Sequence, residues 1–231
     1  MEVVTVCLEL TGWGVALPFV EAATPTHPTL IDQTHQMDAR FGVVNIPNVV
    51  WIDEQGTIVR PAEPGWPPRV DVPEWLQALD GSGDENTPAG LEALSGGQDR
   101  RAYPDAIRDW VAHGAQSRFA LTSSDVVARS QERPLDVSRA AAEFELANHL
   151  WRQDRREAAI PHFNACHRLQ PDNWTYKRQA WSLIGREQVE GDFGLFMQGP
   201  NPGTEDPWPF DSDFFTDVAK LDKGEYFPKT M

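Results

Sequence analysis

The stretch NIPNVVWIDEQGTIVR, residues 45–60, decides the fold. Pro47 stands at the mouth of an apolar, β-branched run, Val49-Val50-Trp51-Ile52. The polar turn Asp53-Glu54-Gln55-Gly56 follows, and then a second run, Thr57-Ile58-Val59. Two short apolar runs joined by a four-residue turn ending in glycine read as a β-hairpin. The next residues, PAEPGWPPR (61–69), are rich in proline, which offers no ladder donor, so the sheet is expected to stop there.

Working outward, VVTVCL (3–8) is almost wholly apolar and suits a strand buried on both faces of a parallel sheet. Residues 15–24 predict a short helix and HPTLID (27–32) an extended segment. Residues 33–42 predict a second helix, with Met37 and Phe41 on one face and Gly42 as its C-cap. Residues 72–79 place Val72, Trp75, Leu76 and Leu79 on one face of a further helix. Residues 80–99, DGSGDENTPAGLEALSGGQD, have the composition of a linker. Beyond it the pattern is helical over 104–114, 136–152, 155–169 and 172–185. The tail from Gly191 is irregular, with Phe214, Phe215, Tyr226 and Phe227 as aromatic anchors. The expected division is therefore 1–80, a linker at 81–100, a helical region at 101–190 and a tail at 191–231.

The chain has 231 residues and a formal net charge of −15, from 20 Lys and Arg against 35 Asp and Glu. Such a balance argues against a nucleic-acid or anionic-membrane partner, which requires clustered cations. Solubility is the simplest use of the charge. The two cysteines, Cys7 and Cys166, make neither a disulfide framework nor a zinc spacing. No signal peptide is visible and no run of 18 or more apolar residues occurs, so the expected location is the cytoplasm. The sequence is silent on oligomeric state.

The ordered pieces VVTVCL (3–8), HPTLID (27–32), RFGV (40–43), Ile46-Pro47 and VVWIDEQGTIV (49–59), with a helix at 72–80, together resemble a thioredoxin-like redoxin of the TlpA/ResA type. The resemblance covers residues 1–80 and implies an α/β fold there. It also implies that the Ile46–Pro47 bond is cis and that the backbone of Ile46 faces a substrate peptide, which would pair with it as an added strand. A trans proline opening a strand is the alternative where no ladder donor is needed.

The chain departs from that family in its sulfur chemistry. Redoxins carry CxxC after the first core strand, where a helix N-terminus lowers the thiol pKa, and no CxxC occurs in this sequence. By the resemblance VVTVCL corresponds to the second core strand, so the first strand and its dithiol are expected to be missing. A start codon placed downstream, a fragment and a degenerate paralogue all fit that expectation. The resemblance implies a thiol–disulfide oxidoreductase by descent that is inactive alone, with no catalytic residue of its own. A peroxiredoxin-type peroxidase is a more distant reading that needs a cysteine in the same region. Cys7, mid-strand, reads as a small hydrophobe rather than a nucleophile.

Residues 138–171 resemble one tetratricopeptide repeat. Leu146, Ala147, Leu150, Ala159, Phe163, Cys166 and Pro171 fall at its offsets, with small residues at the close approach and larger ones filling the seam. The fold class expected is thus an incomplete thioredoxin-like α/β layer followed by an α-helical tetratricopeptide-like region. Arg152, Arg155, Arg156, Arg168, Lys177 and Arg178 concentrate positive charge there. They read either as a solvated face or as a clamp for an acidic peptide, which makes a non-catalytic protein-binding module the alternative function. His162 and Cys166 are four apart, but Cys166 holds a packing position, so no metal site is expected. His27, His35, His113 and His149 form no readable set. No cofactor motif occurs, and none is expected.

Overall fold

The computed structural model describes residues 1–65, 102–130, 132–185, 198–200, 208–222 and 225–227. The helix expected at 72–80 and the linker at 81–100 lie outside the described residues. The chain is a mixture of helices and a few short strands. It forms two compact units, each drawing on both halves of the sequence. One comprises residues 1–44 and 132–180, the other residues 45–131 and 181–231.

In the first unit, strand β1 (Thr5–Leu8) pairs in parallel with β2 (Thr29–Asp32), in the register Thr5 to Thr29 and Leu8 to Asp32. Parallel neighbours need a crossover, and helix α1 (Trp13–Ala23) supplies it. Val6, Cys7 and Leu8 are half-buried, whereas the apolar run had suggested burial on both faces. The reason is that β1 has a single strand partner among the described residues.

Helix α2 (Gln36–Phe41) follows, closed by Gly42 in the left-handed region. Two long helices, α5 (Leu135–Arg152) and α6 (Arg156–Leu169), pack along each other, joined by a tight turn at Gln153–Arg155. Ala140, Ala147, Ala159 and Cys166 are fully buried, so their small side chains let the backbones approach closely. Phe144 and Phe163 fill the space between, edge to face at 5.7 Å. Leu146, expected in that seam, is 42% exposed. One position before Ala147, it lies about 100° round the helix from the contact stripe. Helix α7 (Trp174–Gly185) adds Tyr176, stacked on Phe144 at 4.3 Å.

In the second unit, β3 (Asn48–Ile52) and β4 (Ile58–Pro64) form the antiparallel hairpin. Its turn is set by Asp53, whose Oδ1 accepts the N–H groups of Gln55 at 3.0 Å and Thr57 at 2.8 Å. Gly56 at φ +80° supplies the left-handed residue that closes it. The return strand runs on through Pro61 to Pro64, correcting the expectation that these prolines end the sheet. Val49 pairs Glu63 while Trp51 pairs Arg60, so β4 carries an extra residue here. The irregularity absorbs Pro61, whose missing donor costs the ladder nothing at a bulge.

Helix α3 (Ala102–His113) packs on the hairpin. Trp51 stacks on Trp110 at 4.9 Å, and its indole N–H donates to the Tyr103 hydroxyl at 2.8 Å. Burial, the largest influence on Tyr103, pushes its phenol up to about 12. Helix α4 (Ser123–Ser130) was not foreseen. Thr122, whose Oγ1 accepts the Asp125 N–H at 3.2 Å, caps its start. Just before it, the Leu121 N–H donates to the Val59 carbonyl at 2.9 Å, on the outer side of β4. Near the C-terminus, Asp213 caps the short helix α8 (Phe214–Val218), and Phe214 and Tyr226 are buried.

Candidate functional site

The Ile46–Pro47 peptide bond is cis and leads directly into β3. Ile46 is 54% exposed and Pro47 is also exposed, so both residues of this turn are open to solvent. Asn45, immediately before it, is buried. Its Oδ1 accepts the Ile46 N–H at 2.9 Å and its Nδ2 donates to the Tyr226 carbonyl at 2.7 Å. On the far side of Pro47, Asn48 carries a buried side-chain oxygen with no donor. The turn thus sets an exposed apolar residue and a proline beside a buried acceptor that has no donor.

The arginines separate into two groups. Arg152, Arg155 and Arg156 are all exposed, at the α5–α6 turn. Arg156 reaches Asp154 at 3.3 Å and lies over the Trp151 ring at 5.2 Å. Arg178 is half-buried. Lys177 does not belong to a solvent-facing clamp. It is 4% exposed, its ammonium donates to the Pro171 carbonyl, and it lies over the Trp174 ring at 4.9 Å. The five successive residues 173–177 at the start of α7 are buried, and Lys177 is carried inward with them. Ile46 and Pro47 belong to the second unit, the arginines to the first.

Sequence reading passed over a buried pair in the first unit. His35, in the left-handed region at φ 56°, precedes α2, and its Nδ1 meets Asp38 Oδ2 at 2.7 Å. Both side chains are 1% exposed. Phe144 lies edge-on to the imidazole at 4.9 Å, and the His35 Nε2 has no partner. The i, i+3 spacing was the only signal in the sequence. Burial raises the Asp38 carboxyl above its ordinary value, and the His35 hydrogen bond opposes that rise. Neighbouring Asp32 goes the other way. Its burial would raise it, but N–H groups of Thr34, Gln36 and Met37 together hold it below the ordinary range.

Asp38→Ala leaves His35 buried with neither ring nitrogen paired and is expected to cost about 1–3 kcal/mol in urea unfolding. Asp38→Asn keeps a partner for Nδ1 and should cost less. Because the folded Asp38 is raised, its contribution is full below the ordinary value of 3.8 and is lost as pH rises through the raised value. The Asn variant should therefore gain on the wild type as pH rises. A difference that is flat with pH would contradict the assignment.

The two cysteines sit in different settings. Burial pushes the Cys166 thiol strongly up, and Cys7 sits half-buried within β1. His162 Nδ1 is taken by Glu143 at 2.6 Å. Among the described residues no group of three or more His, Cys, Asp or Glu side chains is arranged to hold a metal ion. None of their helices is long and apolar enough to cross a membrane.

No family model, curated protein or solved structure matches this chain.

Proposed function

We propose that this chain is a thioredoxin-like redoxin of the TlpA/ResA type that supplies the peptide-facing part of a thiol–disulfide oxidoreductase site but no dithiol. One observation carries the reading. The parallel β1–α1–β2 unit, the short α2 and a proline-led antiparallel hairpin follow one another in the order the resemblance requires. The exposed turn at Ile46 is then the backbone that meets an extended peptide. Exchange needs an attacking thiolate and a resolving thiol. With Cys166 sealed in a helix seam and Cys7 on a strand, the chain alone is expected to bind and not to turn over.

The test places a photo-crosslinking residue at Ile46. Irradiation with an extended peptide should capture that peptide well above a control with the same residue at Val127, which is more open to solvent. Equal capture at both positions would remove the reading. An insulin-reduction assay should stay at the rate of the added reductant; acceleration by this chain would show that a thiol has been misjudged.

A second reading rests on Arg152, Arg155 and Arg156, three exposed guanidinium groups at one turn of a chain with net charge −15. In that reading the tetratricopeptide-like helix pair binds an acidic protein segment. Arg152→Glu with Arg155→Glu should then abolish capture of an aspartate-rich peptide, and undiminished capture would exclude it.

A further inference from the structure

The backbone that the redoxin reading offers to a peptide is already engaged from within the chain. A carboxamide presents an oxygen acceptor and an N–H donor, as a peptide unit does. The buried carboxamide of Asn45 uses both. Its oxygen takes the Ile46 N–H at 2.9 Å, and its nitrogen holds the carbonyl of Tyr226 at 2.7 Å, from 181 positions further along the sequence.

The segment that delivers this carbonyl is anchored. The Tyr226 ring is buried, edge-on to the fully buried Phe214 at 6.2 Å and to Phe227 at 4.6 Å. Phe214 in turn opens α8, which Asp213 caps through the Thr216 N–H at 2.8 Å. Two hydrogen bonds tie Glu225 back to Asp222. The Glu225 N–H donates to the Asp222 carbonyl at 3.1 Å, and the Asp222 N–H donates to the Glu225 carboxylate at 2.8 Å. The Ile46 side chain and Pro47 stay open to solvent. What the segment controls is therefore the main-chain donor and not access to the turn.

We propose that Glu225–Phe227 is an intramolecular cap. It holds Asn45 in the orientation that consumes the Ile46 N–H, and its release frees that donor for an extended peptide. The inference rests on the reading of Ile46 as peptide-facing backbone. The occupant it displaces is this chain's own C-terminal segment, and the partner it admits is any strand-forming peptide that pairs through its main chain.

The test uses the full chain, its Tyr226→Ala variant and its Asn45→Ala variant. The probe is a fluorescein-labelled, uncharged peptide of alternating valine and serine, followed by anisotropy. Tyr226→Ala removes the anchor, while Asn45→Ala removes the carboxamide and leaves the aromatic packing in place. Both should bind about tenfold more tightly than the wild type, the scale of one regained hydrogen bond. Equal affinity in all three proteins would overturn the cap and leave the redoxin reading standing. Absence of binding in all three would overturn both. Hydrogen exchange at the Ile46 amide of the wild type gives a readout that needs no variant to fold. That amide should be protected, and exchange at the rate of an open loop would refute the cap directly.

Discussion

Replacing Glu63 by alanine is expected to lower the unfolding free energy by about 3–5 kcal/mol, the range for breaking one side of a buried ion pair. Arg60 and Glu63 are both 4% exposed. The Arg60 Nε donates to Glu63 Oε1, and Nη2 donates to Oε2 at 2.8 Å. Nη1 donates to the Phe119 carbonyl at 2.9 Å, and the guanidinium lies over Trp51 at 5.4 Å. Alanine at 63 strands that guanidinium among Trp51, Tyr103 and the segment before α4, with one carbonyl to answer it. Removing both charges is a different experiment. Arg60→Met with Glu63→Leu fills similar volume without a buried charge and should recover most of the loss, since a buried pair gains little over apolar packing. Urea unfolding of the two single variants and the double variant measures this. Additive losses would show that the two residues do not act as a pair.

Phe163→Ala should cost a similar amount, about 3–5 kcal/mol, for a different reason. Phe163 is fully buried between α5 and α6, edge-on to Phe144 at 5.7 Å and to Trp151 at 6.3 Å. Across the seam on α5 stand Phe144 and Trp151, rigid rings that cannot swing into the gap as flexible aliphatic chains would. The cavity therefore stays largely open, and the loss includes its walls' contacts as well as the burial of the ring. Phe163→Leu keeps part of the volume and should lose less than the alanine variant. A loss below about 1 kcal/mol for Phe163→Ala would mean that the helices close up, contrary to tight packing across this seam.

The hairpin was legible because its signals are local. Two short apolar runs, Asp53 at the turn and Gly56 closing it lie within twelve positions of one another. The helix pair was legible for the same reason, since Ala147, Ala159 and Cys166 mark where two backbones touch. The misreadings share a cause in distance. Pro61 looked like a strand stop because a bulge is a property of two strands in register. Lys177 looked like a surface cation, but Trp174 and the Pro171 carbonyl draw it inward. His35 and Asp38 carried no label in the sequence, because their burial comes from Phe144 and Tyr176, more than a hundred positions away. Helix α4 could have been found, for Thr122 and Asp125 make the spacing of a helix start. The link between Asn45 and Tyr226 was beyond any local pattern.

The central claim is that the Ile46–Pro47 turn is the peptide-facing backbone of a redoxin-type layer. The most direct measurement is a titration of the isotopically labelled Asn45→Ala chain with the valine–serine peptide, followed by amide chemical shifts. The account predicts that the largest changes fall on residues 46–50 and that the amides of Arg152, Arg155 and Arg156 stay still. Changes centred on those arginines, or none anywhere at millimolar peptide, would contradict it.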